Sequence, residues 1–295
     1  MDRHSLRPYQ HLLGTYLWPL WPRVSLLAAL LAGGIAVQLV NPQVVRAFLD
    51  AATGGRPVGE LVTHALVFLV LALVHQGLAV AVTYVGEDVG WRATNRLRAD
   101  LTRHCLALSL SFHGARTPGE LIERIDGDAT ALSNFFSQFV LQVLGNLLLL
   151  LGVLAALFLE DWRVGASLAL WVLVALAVLV RLRERAVPAS RAERQASAEL
   201  YGFVEERLAG LDDLRANGAG GYTMGRFATA AEKLVKTGKQ AWLDRSLLWI
   251  AVLGTLGMSY AIALGFGAWL YGLGAISLGT VYLFVQYTEL LQNPI

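Results

Sequence analysis

Long apolar runs restrict the fold of this chain more than any other feature of its sequence. A transmembrane helix needs about 20 mostly apolar residues. Six runs reach or approach that length, and they are residues 24–40, 61–85, 139–159, 164–180, 247–270 and 278–295. The composition agrees, because 56% of the 295 residues are hydrophobic and only 16% are charged, against roughly 45–50% and about 25% in soluble domains. The chain is therefore predicted to be an all-α, polytopic membrane protein with six spanning helices.

The sixth run reaches the last residue of the sequence. Leu290 and Leu291 are still apolar, and Asn293-Pro294-Ile295 is not typical of a helix end. We therefore expect the sequence to stop inside the sixth helix and the natural product to continue.

The gaps between the runs predict the topology. Two gaps are long, residues 86–138 and 181–246, and they alternate with short ones, so the long gaps lie on one side of the membrane. All but three of the 24 lysines and arginines lie in the N-terminal segment or the long gaps; the exceptions are Arg46, Arg56 and Arg163. The positive-inside bias therefore places the N-terminus and both long gaps in the cytoplasm, with the spans in a cell membrane. High usage of alanine, leucine and arginine is typical of a bacterial source.

Both long gaps keep apolar residues at helical spacing between charged positions. We expect the membrane helices to continue into the cytosol, about 30 Å for every 20 extra residues, and to turn at residues 116–119 and 217–221. Residues 1–22 predict an amphipathic helix in the membrane interface, because Pro19 and Pro22 oppose its continuation into the first span. Residues 23–295 then form one transmembrane domain.

Several functional classes lack their motifs in this sequence. It contains no GxxxxGK[ST] loop, no Cys/His cluster with metal-ligand spacing and no nucleic-acid-binding motif. The single cysteine, Cys105, forms no disulfide within the chain. We therefore expect no catalytic residue, no metal site and no nucleic-acid partner, and the lipid bilayer is the first partner that the sequence predicts.

One turn-rich stretch, FHGARTPGELIERIDGD at residues 112–128, interrupts the first long gap. Thr117 is a plausible N-cap, Pro118 suits the first helical position and Glu120 the third, which is the capping-box pattern. The pattern predicts a short helix held crosswise at the tip of a helical hairpin. An ordinary solvated loop fits the same residues equally well.

The same stretch resembles the first intracellular loop of the ABC exporter transmembrane domain, a family of bacterial multidrug and lipid exporters. The residues that carry this resemblance are Phe112, Thr117, Gly119, Glu120, Leu121, Arg124, Ile125 and Asp128. Two weaker likenesses follow in the expected order. Residues 210–227, with Gly210, Asn217-Gly218 and Arg226-Phe227, resemble the second loop, and residues 279–294 resemble the start of the sixth helix.

The resemblance implies a mechanism and partners. Two such domains would pair as a homodimer or heterodimer, and each would work with a nucleotide-binding domain that holds ATP and Mg²⁺ and is fused or separate. Short helices at the loop tips would carry the motion of those domains to the spans. The implied coupling segments are His113, Gly114, Ala115, Arg116, Thr117, Pro118, Gly119, Glu120 and Leu121, and Asn217, Gly218, Ala219, Gly220, Gly221, Tyr222, Thr223 and Met224.

Polar side chains inside apolar spans are costly unless they are paired or face water. The candidates for a substrate path are His75, Gln142, Asn146, Gln286 and Glu289. His64 shares a helix face with His75, and Gln138 continues the stripe of Gln142 and Asn146. For each, a hydrogen bond between helices or an interfacial position is the alternative.

Three functions remain open at this point. The first is the membrane part of an ATP-driven exporter. The second is a regulatory or sensor module with an exporter-like fold. The third is an ion-coupled secondary transporter, which is disfavoured because such proteins usually have short loops and paired interrupted helices in repeated halves.

Overall fold

The structure is a computed structural model that describes residues 14–16, 18–114, 116–130 and 139–292. These residues form helices joined by turns, without a β-strand in the described ranges. The all-α prediction is therefore confirmed. Residues 1–13 and 17, on which most of the predicted interfacial helix falls, lie outside the described residues.

The α-helices are numbered in chain order. They are α1 Trp21–Thr53, α2 Val58–Leu106, α3 Leu110–Gly114, α4 Pro118–Ile122, α5 Gly145–Glu160, α6 Trp162–Ala209, α7 Leu211–Ala216, α8 Gly220–Gly272 and α9 Leu278–Leu290. A 3₁₀ turn at Trp18–Leu20 precedes α1, and π-helical turns occupy Glu123–Gly127 and Phe139–Leu144.

Five helices are long and apolar enough to cross a membrane, and they correspond to α1, α2, α5, α6 and α8. In each, at most 28% of the most apolar stretch is buried within the chain. Exposed apolar surface of this extent requires lipid or another protein surface as its cover. The predicted sixth span contains α9, whose 13 residues are fewer than the roughly 20 that cross a bilayer alone.

Three helices are much longer than a bilayer requires. Helices α2, α6 and α8 contain 49, 48 and 53 residues. At 1.5 Å per residue each is about 70–80 Å long, whereas the hydrocarbon core is about 30 Å thick. The extensions occupy the stretches in which the residue spacing predicts continued helix.

Helix α1 contains a proline at Pro42. The Pro-Gln pair is one of three turn signals between residues 41 and 60, yet α1 continues through it as far as Thr53, where the other two signals begin. Proline inside a helix loses one backbone hydrogen bond and costs about 3 kcal/mol. Here Pro42 is buried, and the following turns of α1 are held by α5 and α9 through contacts described below. The chain turns later, where Gly55 adopts a left-handed φ of 66°.

The chain divides into two compact units. The first comprises residues 1–165 and 263–294 and contains α1, α2, α5 and α9. Its most buried side chains line the contacts between these helices, and they include Val153, Leu157, Leu283, Phe284 and Tyr287. A smaller cluster of Leu20, Val89 and Ala93 joins the entry to α1 with the C-terminal half of α2.

The second unit comprises residues 166–262 and pairs α6 with α8. Glu193 binds Arg245 at 2.6 Å, and Glu199 binds Lys233 at 2.5 Å. Because higher residue numbers in α6 meet lower numbers in α8, the helices run antiparallel. The hydrogen bond from Arg245 lowers the pKa of Glu193, and the one from Lys233 lowers that of Glu199.

The start of α9 docks on α1 so closely that only glycine fits at Gly279. A Cβ atom there would lie 2.5 Å from Asp50 Oδ1 and 2.6 Å from the carbonyl oxygen of Arg46. We expect Gly279→Ala to lower the free energy of unfolding by about 1–3 kcal/mol, as overpacking does elsewhere. The measurement is thermal unfolding of the complete polypeptide in detergent.

Gly265→Ala is the matched control, because a Cβ at Gly265 meets nothing within 4 Å. This helical substitution is expected to leave stability unchanged or raise it by up to about 1 kcal/mol. Equal midpoints for the two variants would contradict the close approach at Gly279.

Candidate functional site

The first candidate surface is the tip that follows α2. Thr117 caps α4, since its Oγ1 accepts a hydrogen bond from the backbone N–H of Glu120 at 3.3 Å, and Pro118 occupies the first turn. The predicted N-cap is therefore confirmed. The Glu120 carboxylate binds the Arg116 guanidinium instead of contacting the cap residue.

Aromatic and histidine side chains attach this tip to α2. His113 Nε2 lies 3.0 Å from the carbonyl oxygen of Cys105. The ring of His113 meets that of Phe112 edge-on at 5.8 Å, and the Arg116 guanidinium lies 5.4 Å from the Phe112 ring centre. Of the remaining candidates in this segment, Gly114, Thr117, Pro118, Gly119 and Glu120 are exposed, Leu121 is half-buried, and Ala115 lies outside the described residues. The tip is therefore held on α2 by side-chain contacts, and its outer face is exposed.

A residue that the sequence analysis missed completes this face. Ile122, the last residue of α4, is 64% exposed although it is large and apolar. Its neighbours Leu121 and Ile125 are half-buried. In the sequence the three form one apolar group, and only the helix orientation shows which of them faces outward.

The second candidate segment forms a tight turn and the first turn of a long helix. Asn217 ends α7, with its Nδ2 donating to the carbonyl oxygen of Asp213 at 2.8 Å. Gly218 has a left-handed φ of 61°. Thr223 Oγ1 donates to the carbonyl oxygen of Ala219 at 2.9 Å.

The turn expected within residues 217–221 is present, and the long helix that follows begins before that stretch ends. Gly220, Gly221, Tyr222, Thr223 and Met224 begin α8, and the short helix is the preceding α7. The turn needs Gly218, and the glycines after it accept helical geometry. Tyr222 and Met224 are 67% and 62% exposed, so this tip also presents apolar side chains.

A cavity of about 440 Å³ lies between α1, α2 and α9. It is lined by Asn41, Val44, Val45, Phe48, His64, Ala65, Phe68, Tyr282 and Gln286. The structure thus brings the candidate Gln286 together with His64. Gln286 donates to Tyr282 Oη at 3.1 Å, and His64 Nδ1 lies 2.8 Å from the carbonyl oxygen of Glu60. Three aromatic rings and these amide and imidazole groups suit an amphipathic molecule.

The other path candidates lie outside this cavity. His75 is half-buried on α2 and Asn146 half-buried on α5, whereas Gln142 is exposed in the π-helical turn before α5. Glu289 is exposed on α9, and its carboxylate has no ion pair with the described residues. Gln138 falls in the segment that the structure does not describe. The five candidates therefore do not form one site within this chain.

A polar network that sequence reasoning missed joins α1, α5 and α9. The guanidinium of Arg46 binds Glu160 Oε2 at 2.6 Å, and Gln43 Nε2 donates to Glu160 Oε1 at 2.8 Å. Gln43 Nε2 also donates to Tyr287 Oη at 3.0 Å, and Tyr287 Oη donates to the carbonyl oxygen of Leu39 at 3.0 Å. Both carboxylate oxygens of Glu160 are therefore satisfied by α1.

A second carboxylate on α1 holds the first turn of α9. Asp50 accepts hydrogen bonds from Ser277 Oγ at 2.8 Å and from the backbone N–H of Gly279 at 3.0 Å. Ser277 Oγ in turn accepts from the N–H of Thr280 at 3.2 Å. A carboxylate at a helix N-terminus also interacts favourably with the helix dipole. Partners more than 220 residues apart give no local signal in the sequence.

The Arg46–Glu160 pair is expected to couple in unfolding measurements. Side-chain exposures of 31% and 21% place it between surface and core, so Glu160→Gln should lower the free energy of unfolding by about 1–3 kcal/mol. Replacing both Arg46 and Glu160 by methionine should lower the free energy of unfolding by less than the sum of the two single replacements, since neither charge is then left without its partner.

Arg56→Gln is the control for a general charge effect. Arg56 pairs with Glu60 at 3.6 Å, with side-chain exposures of 64% and 46%. Such a surface pair contributes about 0–1 kcal/mol. A loss at Arg56 as large as the loss at Glu160 would refute a special role for the network.

Comparisons with known proteins agree with this architecture. The family profile described as ABC transporter transmembrane region matches residues 24–295. A multidrug resistance ABC transporter ATP-binding and permease protein of Lactococcus lactis is 22% identical over 88% of this chain and 43% of its own length. An uncharacterized ABC transporter ATP-binding protein of Bacillus subtilis is 26% identical over 95% of this chain and 48% of its own.

A solved structure supports the same fold. A bacterial Atm1-family ABC exporter with ATP bound aligns with a TM-score of 0.64 and 20% sequence identity, over 99% of this chain and 50% of that chain. The chain thus spans about half the length of the relatives that it matches. Because the family profile covers nearly all of the sequence and the helices follow the same fold, this chain belongs to the ABC transporter transmembrane region family.

Proposed function

We propose that this chain is the membrane half of an ATP-driven exporter, which couples ATP binding and hydrolysis to alternating access of a translocation path. The observation that carries the proposal is the presence, on helices far longer than the bilayer, of exposed tips with apolar side chains. A membrane segment alone does not need them. They suit contacts with a domain in the cytosol.

The nucleotide chemistry belongs to a partner domain. The relatives from Lactococcus lactis and Bacillus subtilis are named as ATP-binding proteins, and this sequence has no phosphate-binding loop. ATP and Mg²⁺ would therefore bind in a nucleotide-binding domain, fused or separate. This chain would transmit the movement of that domain to the membrane helices. Contacts that differ between two states allow nucleotide to shift the equilibrium.

The first tip supplies one coupling surface. Helix α4 is capped by Thr117, and His113 holds the tip on α2. The exposed face of the tip includes Gly119 and Ile122. When a partner domain displaces this face, the displacement is transmitted to α2, a continuous helix of 49 residues. Because an α-helix is stiff over this length, a displacement of the tip moves the membrane end as well.

The second tip supplies a separate surface. Tyr222 and Met224 project from the first turn of α8, and the Gly218 turn fixes where that helix starts. Glu193 and Glu199 hold α8 to α6 below the tip. The two helices would therefore move together when the tip is displaced.

The cavity between α1, α2 and α9 is the part of this chain that we assign to the translocation path. Its aromatic rings, with Gln286 and His64, suit amphipathic substrates. Glu289, which is exposed on the same helix α9, would face the path or a second transmembrane domain in a dimer. His75, Gln142 and Asn146 remain candidates for contacts in that dimer.

The deciding experiment measures ATP hydrolysis by the complete polypeptide, or by this chain with its co-transcribed ATP-binding partner, in lipid vesicles. Vanadate-sensitive hydrolysis that drives uptake of ethidium or a fluorescent phospholipid into inverted vesicles supports the exporter. Hydrolysis without movement of any tested compound would favour a regulatory module. Uptake driven by an ion gradient without ATP would favour a secondary transporter.

The coupling surfaces give a mutational prediction. Ile122→Ser combined with Met224→Ser should lower transport per ATP hydrolysed by about fivefold or more, because a hot-spot side chain contributes above about 1 kcal/mol. Membrane insertion and ATP binding should stay unchanged. Val235→Ser is the control, since Val235 is also apolar and 61% exposed but lies outside the tips. Normal transport by the double variant would reject the coupling assignment.

The proposed topology has its own test. In a Cys105→Ser background, a cysteine at the exposed position Thr53 should react with a membrane-impermeant maleimide on intact cells. A cysteine at Ala216, exposed at the end of α7, should react only after the cells are opened. The reverse pattern would place the long helical extensions outside the cell.

A further inference from the structure

Arg163, in the first turn of α6, has no anionic partner among the residues that the structure describes. Three basic residues lie in the short gaps between the apolar runs of the sequence, and two of them pair with carboxylates: Arg46 with Glu160, and Arg56 with Glu60. Within the described residues, the Arg163 guanidinium makes no ion pair and no side-chain hydrogen bond. A cation in this position has its in-plane N–H groups available for a ligand.

Two indole rings hold this guanidinium instead. Its central carbon lies 6.0 Å from the ring centre of Trp162 and 5.5 Å from that of Trp269. Both distances fall within the range of cation–π attraction. Trp162 is 67% exposed and Trp269 is 51% exposed, so neither ring shields the guanidinium from the surroundings.

The local backbone fixes the position of the arginine. Asp161 is the residue that separates α5 from α6, and its Oδ1 accepts a hydrogen bond from the backbone N–H of Arg163 at 2.8 Å. Trp269 lies on the last turn of α8 and packs edge-on against Phe266 at 6.3 Å. The guanidinium is therefore positioned by two helix ends rather than by a mobile loop.

The position of these residues relative to the apolar helices identifies the surroundings. Asp161, Trp162 and Arg163 lie between two apolar runs, residues 139–159 and 164–180, and Trp269 is the last residue but one of a third, residues 247–270. Tryptophan is enriched where transmembrane helices leave the hydrocarbon core. A site at this place between apolar runs is expected at the depth of the lipid head groups, where phosphate is the prevailing anion.

We propose that Arg163, Trp162 and Trp269 bind the phosphate of a membrane phospholipid. The planar guanidinium donates two parallel hydrogen bonds to phosphate oxygens, while the indole faces stabilise its charge from the sides. The indole rings also lie along the glycerol and upper acyl region of the lipid. This assignment concerns a lipid bound at the end opposite the cytosolic extensions and is independent of the transported substrate.

The test uses the complete polypeptide purified in detergent and titrated with phosphatidylglycerol. Thermal unfolding and native mass spectrometry then report stabilisation and bound lipid. We expect Arg163→Gln to require about fivefold more lipid for half-maximal stabilisation, as one basic residue near anionic lipid contributes about 1 kcal/mol. Arg163→Lys keeps the charge but loses the planar guanidinium that stacks on the indole rings. The lipid concentration for its half-maximal stabilisation should therefore lie between those of the wild type and Arg163→Gln.

Controls separate the phosphate from other causes. Diacylglycerol, which lacks the phosphate, and inorganic phosphate, which lacks the acyl chains, should not stabilise the wild-type protein. Arg56→Gln should bind phosphatidylglycerol as the wild type does, because Arg56 is paired with Glu60 and has no indole neighbour among the described residues.

Three outcomes would overturn the proposal. One is unchanged lipid dependence in Arg163→Gln. Another is an equal loss in Arg56→Gln, which would indicate a diffuse charge effect. The third is stabilisation by inorganic phosphate as strong as that by lipid, which would assign a soluble anion to the site.

Discussion

The network around Glu160 is the contact on which the packing of the first unit depends. Apolar helices gain little from burial against each other in lipid, because lipid chains are as apolar as their side chains. Helix register must then come from close packing and from polar contacts. Glu160 supplies the polar contacts by binding Arg46 and Gln43 on α1, and Tyr287 on α9 accepts a further hydrogen bond from Gln43. Asp50 fixes the start of α9 on the same helix. Pro42 is tolerated in this setting because α1 is held from outside.

The opposite ends of the long helices follow a different physical rule. The antiparallel pair of α6 and α8 is aligned by Glu193 with Arg245 and Glu199 with Lys233, and small residues of the two helices, such as Ala196 and Ala241, are buried. The helices end in tight, capped turns. In the proposed exporter, these extensions would transmit a displacement that is applied to the exposed apolar residues at their tips.

Local rules predicted local features well. Thr117 caps α4 because an N-cap needs only a hydroxyl and a backbone N–H three residues later. Gly218 turns the chain because only a few residues adopt a left-handed backbone readily. Pro42 does not end α1, because the tertiary contacts of the following helical turns outweigh the local cost of a proline. The short helix α7 precedes the Gly218 turn, and Gly220 and Gly221 already belong to α8, a division that the glycine-rich sequence does not reveal.

The sequence by itself determined the class of protein, the number of apolar runs, the long helical extensions and the family. These features depend on composition, on the repeat of apolar residues every 3.6 positions in a helix, and on short motifs, which are all properties of neighbouring residues. Only the tertiary structure decided that Glu160 binds Arg46, that Gln286 joins His64 at a cavity, and that Trp269 meets Arg163. Each of these contacts joins residues distant in the chain. Their geometry depends on how whole helices pack, which no local pattern encodes.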